Sequence, residues 1–170
     1  MELKRRIRPE LVFISIYILM AVVYFWVGFQ PAGAKNYDVA AVLNIPSIGL
    51  TSDVTELRLK DHRLETPDTI VGSYESAKNK NLLIGHSSTV FADLHELQVG
   101  DLIYYGDKTY SVAEMAILAK EDISMRDLLR ASDLDTLVIM TCAGQDLGGG
   151  DSTHRLIVTA TVTDDAYADK

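Results

Sequence analysis

The sequence predicts an all-β domain, a barrel or sandwich of seven or eight short strands with two short helices, preceded by one N-terminal membrane-spanning helix. Three observations carry this. Short apolar runs are separated by turn signals rich in Gly, Asn and Asp, the pattern of regular short strands rather than of a βαβ fold. Only two segments, 90–98 and 124–131, carry helical spacing, and both are short. Residues 11–29, "LVFISIYILMAVVYFWVGF", form one apolar run without a charge.

That run is the first element. At 1.5 Å per residue it reaches about 28 Å, close to the thickness of the hydrocarbon layer. Tyr24 and Trp26 lie near its far end, where amphipathic rings favour the interface. The basic cluster Lys4, Arg5, Arg6 and Arg8 precedes it, so residues 1–10 stay in the cytoplasm and everything after Phe29 is exported. A cleaved signal peptide is the rival, since Ala32 and Ala34 fit a small-residue cleavage site. The run is longer than the usual apolar region of such a peptide, which favours an uncleaved anchor. A buried core helix fits less well, because the run is apolar on every face. The expected protein is single-pass in the plasma membrane, with its folded domain on the outside and the bilayer as partner through residues 11–29.

A polar linker, 30–41, leads into the exported domain, 42–170. "VLNIPSIGL" (Val42–Leu50) reads as a strand interrupted by Pro46 and Gly49, at an edge or a barrel end because proline removes a ladder donor. Asp53–Leu59 reads as a second strand, and 60–80 as polar and turn-rich. Asn81–Gly85 is a short apolar strand that stops at Gly85-His86. Val90–Gln98 places Phe91, Leu94 and Leu97 three apart and reads as a short helix. Leu102–Tyr105 and Thr109–Leu118 flank the hairpin signal Gly106-Asp107-Lys108. Ser124 caps a second short helix, 124–131. Asp135–Cys142 and Arg155–Val162 are the last two strands. Closing the sheet into a barrel removes its exposed edges.

Charge and cysteine content narrow the function. The chain has 16 basic and 24 acidic residues, and after residue 30 twelve basic face twenty-two acidic. An acidic surface of this kind argues against nucleic-acid binding. One cysteine allows no internal disulfide and no cysteine-rich metal site. His62, His86, His95 and His154 show no metal-ligand spacing, and Asp146 and Asp151 match no calcium-loop pattern. No metal and no cofactor are expected.

A lone thiol in an exported domain pairs with another molecule, stays buried, or works as a nucleophile. To work it needs a base to take its proton and a donor to meet a tetrahedral oxyanion. Cys142 stands at the expected end of one strand and Arg155 at the start of the next, with the Gly-rich stretch 143–154 between them. Arg155 offers a fork of N–H donors and keeps its charge at any working pH. His86 follows a buried strand and precedes Ser87 and Ser88, which places it at an element end. His62 lies in a charged stretch, and His95 sits off the apolar face of its helix. His154, adjacent to Arg155 on a strand, points to the opposite face.

"IMTC" (Ile139–Cys142), "IGHS" (Ile84–Ser87) and "HRLIV" (His154–Val158) resemble the three signature segments of the sortases, membrane-anchored cysteine transpeptidases of bacterial surfaces. "LNIPSIGL", "FADLHELQVGD" and "TYSV" resemble further family segments, so the likeness covers about Val42–Thr163. It implies a closed β-barrel, Cys142 as nucleophile, His86 as general acid/base and Arg155 as holder of substrate backbone and oxyanion. Thr141, Ser87 and Ala143 would flank them as substrate contacts, although alternation turns Thr141 to the other face. The implied reaction cleaves an LPxTG-like sorting signal after threonine through a thioester and passes the protein to an amine. The implied partners are sorting-signal-bearing secreted proteins and a cell-wall precursor or pilin amine.

The sequence departs from the family where Ala143-Gly144 follow the cysteine in place of a nearby proline. With Gly148, Gly149 and Gly150, that predicts a mobile loop. The chain carries no second span after Val162 and no long insert before its first strand, which leans toward single-attachment members rather than pilus-polymerising ones. An L,D-transpeptidase would need an arginine where Gly144 stands, and a papain-like peptidase would need a helix starting at the cysteine. A membrane-tethered barrel without turnover is the non-enzymatic alternative.

Overall fold

Pro46 divides the run Val42–Leu50 into two strands. Its fixed φ suits the first position of a helical turn, and the 3-10 turn Pro46–Ile48 starts there. Gly49 follows at φ 63°, a conformation that favours glycine, and reverses the chain. The expected single strand is therefore the end of β1 (Val39–Ile45), a tight turn, and the start of β2 (Leu50–Glu56), paired antiparallel from Ile45–Leu50 outward. The proline sits at a barrel end, where its missing N–H costs no ladder bond.

The computed structural model describes residues 20, 37–57, 59–60, 63–64, 66–148 and 151–163. The chain divides into two units, Met1–Asn36 and Tyr37–Lys170. The anchor expected at 11–29, apart from Met20, lies outside the described residues, as does His62. Among the described residues no helix is long and apolar enough to cross a membrane. The second unit begins before the expected boundary at 42, because Val39 and Ala41 already pair with Thr55 and Val54.

After β2 come the two-residue strands β3 (Leu59–Lys60) and β4 (Arg63–Leu64), which pair with each other. Then follow β5 (Val71–Ala77), β6 (Lys80–Ile84), β7 (Leu102–Tyr105), β8 (Lys108–Ala119), β9 (Thr136–Gly148) and β10 (Asp151–Val162). Eight strands close a barrel in the order β1-β2-β5-β6-β9-β10-β8-β7, and β7 returns to β1. The pairs β2–β5 and β6–β9 are parallel, and the others are antiparallel. The β7–β8 hairpin turns through Gly106 at φ 62°, the first central position of its two-residue loop, where tight hairpins favour glycine.

Strand β5 falls in the stretch read as polar turn. Its sequence, "VGSYESA", has little apolar alternation, and Gly72 breaks the pattern. The glycine is required by packing: a Cβ there would stand 2.6 Å from the Leu57 side chain. The helix expected over 90–98 is a series of turns with one 3-10 turn, Leu94–Glu96. Residues spaced strictly by three match a 3-10 period of 3.0 better than 3.6. Phe91, Leu94 and Leu97 are nonetheless buried together, so the apolar face was the correct one. The helix at Met125–Leu128 forms as expected, with the Ser124 hydroxyl accepting the Asp127 N–H at its start.

Alternation along β9 sorts its side chains into two layers. Leu137 and Ile139 join Leu43, Ile45, Leu83, Ile103, Tyr110 and Val158 inside the barrel. Val138 joins Leu82 and Ile157 on the outer face. Ile123, Leu128 and Leu129 pack over that outer cluster, beside Ile84 and Met140. Apolar residues on both faces explain why β6, β9 and β10 read as nearly continuous apolar runs.

Candidate active site

Cys142 shares the outer layer of β9 with Val138 and Met140, because residues two apart on a strand face the same way. It does not end its strand. β9 runs on to Gly148 and β10 begins at Asp151, so Cys142 and Arg155 both lie within one long hairpin. The expected mobile loop is therefore ladder over most of its length. The glycines make this possible. Two register shifts give β9 extra residues, one between Ala143 and Asp146 and one between Asp146 and Gly148. Gly144 at φ 77° and Gly148 at φ 84° supply the left-handed backbone that glycine bulges use. A Cβ on Gly144 would also stand 2.7 Å from His154 Nδ1 and from Thr153 Oγ1.

Arg155 pairs directly across the ladder from Cys142, and His154 pairs with Ala143. His154 therefore belongs to the other face, as expected, and its Nδ1 lies 2.8 Å from Thr153 Oγ1.

His86 is placed by β6. That strand runs parallel to β9, with Ile84 beside Met140. One residue further, the Gly85 carbonyl accepts a 2.8 Å hydrogen bond from Thr141 Oγ1. His86 thus leaves the sheet alongside Cys142. Its own carbonyl accepts the N–H groups of Phe91 and Thr89, which starts the following turns. Gly85 is needed for close packing: a Cβ would meet Val90 and the Phe91 ring at 2.6 Å.

A cleft of about 280 Å³ opens at this point. It is lined by His86, Ser87 and Ser88 after β6, by Cys142, Ala143, Gly144 and Asp146 of β9, and by Asp151 and Ser152 of β10. The thiol and imidazole anticipated from the sequence therefore share one cavity, with Ser87 and Ala143 beside them. Thr141 does not line it. Its side chain is buried among the inward-facing residues of β9 and is committed to Gly85, so it serves as a strut and not as a substrate contact. His95 is exposed on its turn, with Nδ1 3.0 Å from the Ala92 carbonyl. Among the described residues no group of three His, Cys, Asp or Glu side chains is arranged to hold a metal.

Arg155 does not line the cleft with Cys142 and His86, and 16% of its side chain is exposed. Nη1 donates to Ser152 O at 2.9 Å, Ser152 Oγ at 3.0 Å and His154 O at 2.9 Å. Nη2 donates to Asp151 Oδ1 at 2.8 Å. The other oxygen of Asp151 takes Lys120 Nζ at 2.5 Å. Hydrogen bonds from Lys120, from Arg155 and from the Ser152 N–H hold the Asp151 carboxyl well below the usual carboxylate range, so it is an anion at neutral pH.

Asp151, Ser152 and Lys120 were absent from the sequence-derived site. Asp151 stands four residues before Arg155 in one strand, and period-two alternation puts the two on one face. That signal was available. Lys120 follows directly on β8 and carried no local signal.

The chain matches a model of the sortase domain over residues 43–163. It is 29% identical over 120 residues to Sortase D of Bacillus subtilis (strain 168), a match covering 68% of this chain and 58% of that protein. The chain thus spans less than two thirds of that relative. Among solved structures, sortase A from Corynebacterium diphtheriae superposes with a TM-score of 0.61 at 23% identity, over 76% of this chain and 62% of that one. Sortase C-1 from Actinomyces oris gives 0.55 at 26% identity, over 74% and 72%. A Clostridium perfringens sortase D5 transpeptidase gives 0.58 at 24%, over 74% and 79%. With the closed barrel and the matched domain extending from β1 past the end of β10, this chain belongs to the sortase family.

Proposed function

We propose that this sortase-family chain is a cysteine transpeptidase. It cleaves an LPxTG-like sorting signal and passes the carboxyl fragment's partner, the secreted protein, to an amine on a cell-wall precursor or pilin. The observation that carries the reading is the union of Cys142 and His86 in one cleft, with Arg155 directly across the ladder from the thiol.

In this mechanism His86 takes the Cys142 proton and the thiolate attacks the threonine's carbonyl carbon. The carbonyl oxygen becomes an oxyanion, which the Arg155 guanidinium stabilises. His86 returns the proton to the leaving amine, and a thioester remains on Sγ. An incoming amine gives its proton to His86, attacks the thioester and releases the thiol. Atoms balance, since one peptide bond breaks and one amide forms.

Ser87 and Ala143, which line the same cleft, would flank the scissile bond. The anchor at 11–29 would hold the domain on the outer side of the plasma membrane, within reach of exported substrates and wall amines.

Mass spectrometry of the full chain in detergent micelles, with a pool of LPxTG-like peptides and triglycine, tests the proposal. A peptide cut after threonine and joined to triglycine is expected, and Cys142→Ala must abolish it. Equal product from Cys142→Ala would remove the thiol from the reaction.

A further inference from the structure

The Asp151 carboxylate is a wall of the cleft whose oxygens turn to cations on both sides. Oδ1 accepts Arg155 Nη2–H at 2.8 Å and the Ser152 N–H at 2.9 Å. Oδ2 pairs with Lys120, which opens the 3-10 turn Lys120–Asp122 directly after β8. The acid therefore ties the far end of the β9–β10 hairpin to the neighbouring strand and to the arginine opposite the thiol.

A guanidinium has five N–H groups. Nη1 is surrounded by three acceptors, Ser152 O, Ser152 Oγ and His154 O. Nη2 gives one of its two N–H groups to Asp151. None of these four bonds uses the Nε–H or the second Nη2–H. Two donors from adjacent nitrogens of a planar fork suit one oxygen or a pair of carbonyls.

We infer that Asp151 is a positioning residue. Together with Ser152 it grips one part of the Arg155 fork, and the two remaining donors stay fixed for a substrate carbonyl or oxyanion bound at Cys142. This rests on the proposed role of Cys142 as nucleophile. A cation held in place before substrate arrives needs no reorganisation as charge develops, which is where preorganised donors gain their effect. A largely buried guanidinium also needs an anion beside it. Asp151 fills both needs, and Lys120 pairs with its second oxygen.

The test uses the full chain in detergent micelles with an LPxTG-like peptide and triglycine, comparing Asp151→Ala, Asp151→Asn, Asp151→Glu and Lys120→Met. Misplacement of one group lowers turnover by about ten- to a hundred-fold. That loss is expected in kcat for Asp151→Ala, with KM moving much less. Asp151→Asn should fall between, since its Oδ1 still accepts from Arg155, and Asp151→Glu should restore part of the rate. Lys120→Met should lower kcat by less than Asp151→Ala does. A second readout needs no turnover: the ¹H–¹⁵N signal of the Arg155 Nε–H, assigned by its loss in Arg155→Lys. It is expected to be resolved in the wild type and to move or broaden in Asp151→Ala. If the wild type makes no product, the functional reading fails and this signal alone decides the positioning role. An unchanged signal in Asp151→Ala, or a kcat equal to or above wild type, would overturn the inference.

Discussion

Arg155 is the direct cross-strand partner of Cys142 in the β9–β10 ladder, and both belong to the outer layer of the barrel wall. Opposed residues of an antiparallel pair hold their Cβ atoms about 4.5–5.5 Å apart. The backbone hydrogen bonds of the ladder thus fix the root of the arginine side chain beside that of the cysteine. Arg155→Ala should lower kcat for peptide transfer by about a hundred- to a thousand-fold, the scale of losing one oxyanion donor. Arg155→Lys should recover little, because an ammonium lacks the planar fork. Steady-state kinetics on the two variants checks this, and a near-normal Arg155→Ala would remove the arginine from the mechanism.

Thr141 joins the strand of the thiol to the strand of the imidazole through its 2.8 Å bond to the Gly85 carbonyl. Thr141→Val keeps the shape and leaves that carbonyl without its donor. The expected cost is about 1–3 kcal/mol, or roughly 2–4 °C of melting temperature per kcal/mol in a protein of this size. Thr141→Ser should recover much of it. Thermal unfolding by circular dichroism reads the difference, and unchanged melting in Thr141→Val would contradict the strut role.

Two glycines of the site should fail for different reasons when changed to alanine. At Gly85 the new methyl meets the Phe91 ring, which is 1% exposed and has little room to yield. Overpacking of this kind costs about 1–3 kcal/mol, and global stability should drop. At Gly144 the backbone is left-handed and the methyl meets His154 and Thr153 at the exposed bulge. That change should lower transfer activity more than it lowers the melting temperature. A reversal of the two patterns would refute the assignment.

Acid stability should depend on Asp151. Its pKa is depressed in the folded state by Lys120, Arg155 and the Ser152 N–H. A depressed carboxyl contributes stability that is present above its unfolded pKa, near 3.9, and lost as pH falls below it. Urea midpoints of the wild type should therefore fall below about pH 4, and those of Asp151→Asn should fall less. Because Asp151 and Lys120 are both well exposed, salt should weaken the contrast. Parallel curves for the two proteins would count against the linkage.

The opposite end of the pH range falls to Tyr110, Lys108 and Asp135. The buried Tyr110 hydroxyl donates to Asp135 at 3.2 Å, and Lys108 pairs with the same carboxylate. Burial, then the Asp135 charge, raise the Tyr110 pKa, and hydrogen bonding to Asp135 raises that of Lys108. Raised pKa values in these groups contribute stability that is complete below their unfolded values, about 10 and 10.4, and lost as pH rises above them. Tyr110→Phe should lose about 0.5–1.5 kcal/mol near neutrality and then decline less steeply above pH 10 than the wild type. Denaturation midpoints from pH 8 to 11 measure both effects.

Most strands were legible because each buries one or two faces and shows it as alternation or a continuous apolar run. Cys142, His86 and Arg155 stood out as candidates because they sit in segments with recognisable patterns; the structure brings Cys142 and His86 to one cleft and pairs Arg155 with Cys142. β5 was not, since its place is set by neighbours on both sides and by Leu57 packing over Gly72. The Gly-rich stretch after Cys142 misled for a related reason. Glycine signals a permissive backbone, and only the ladder with β10 reveals that the freedom is used for bulges.

The sequence by itself determined the strand-rich class and the apolar face of Phe91, Leu94 and Leu97, and it singled out Cys142, His86 and Arg155 as candidates. Each is local, readable from period, residue type or a short pattern. The tertiary structure alone decided that Arg155 lies opposite Cys142, that Thr141 turns inward to Gly85, and that Asp151 grips the arginine with help from Lys120. Those are contacts between strands. Register and barrel closure create them from the summed pairing of the whole sheet, which no single segment encodes.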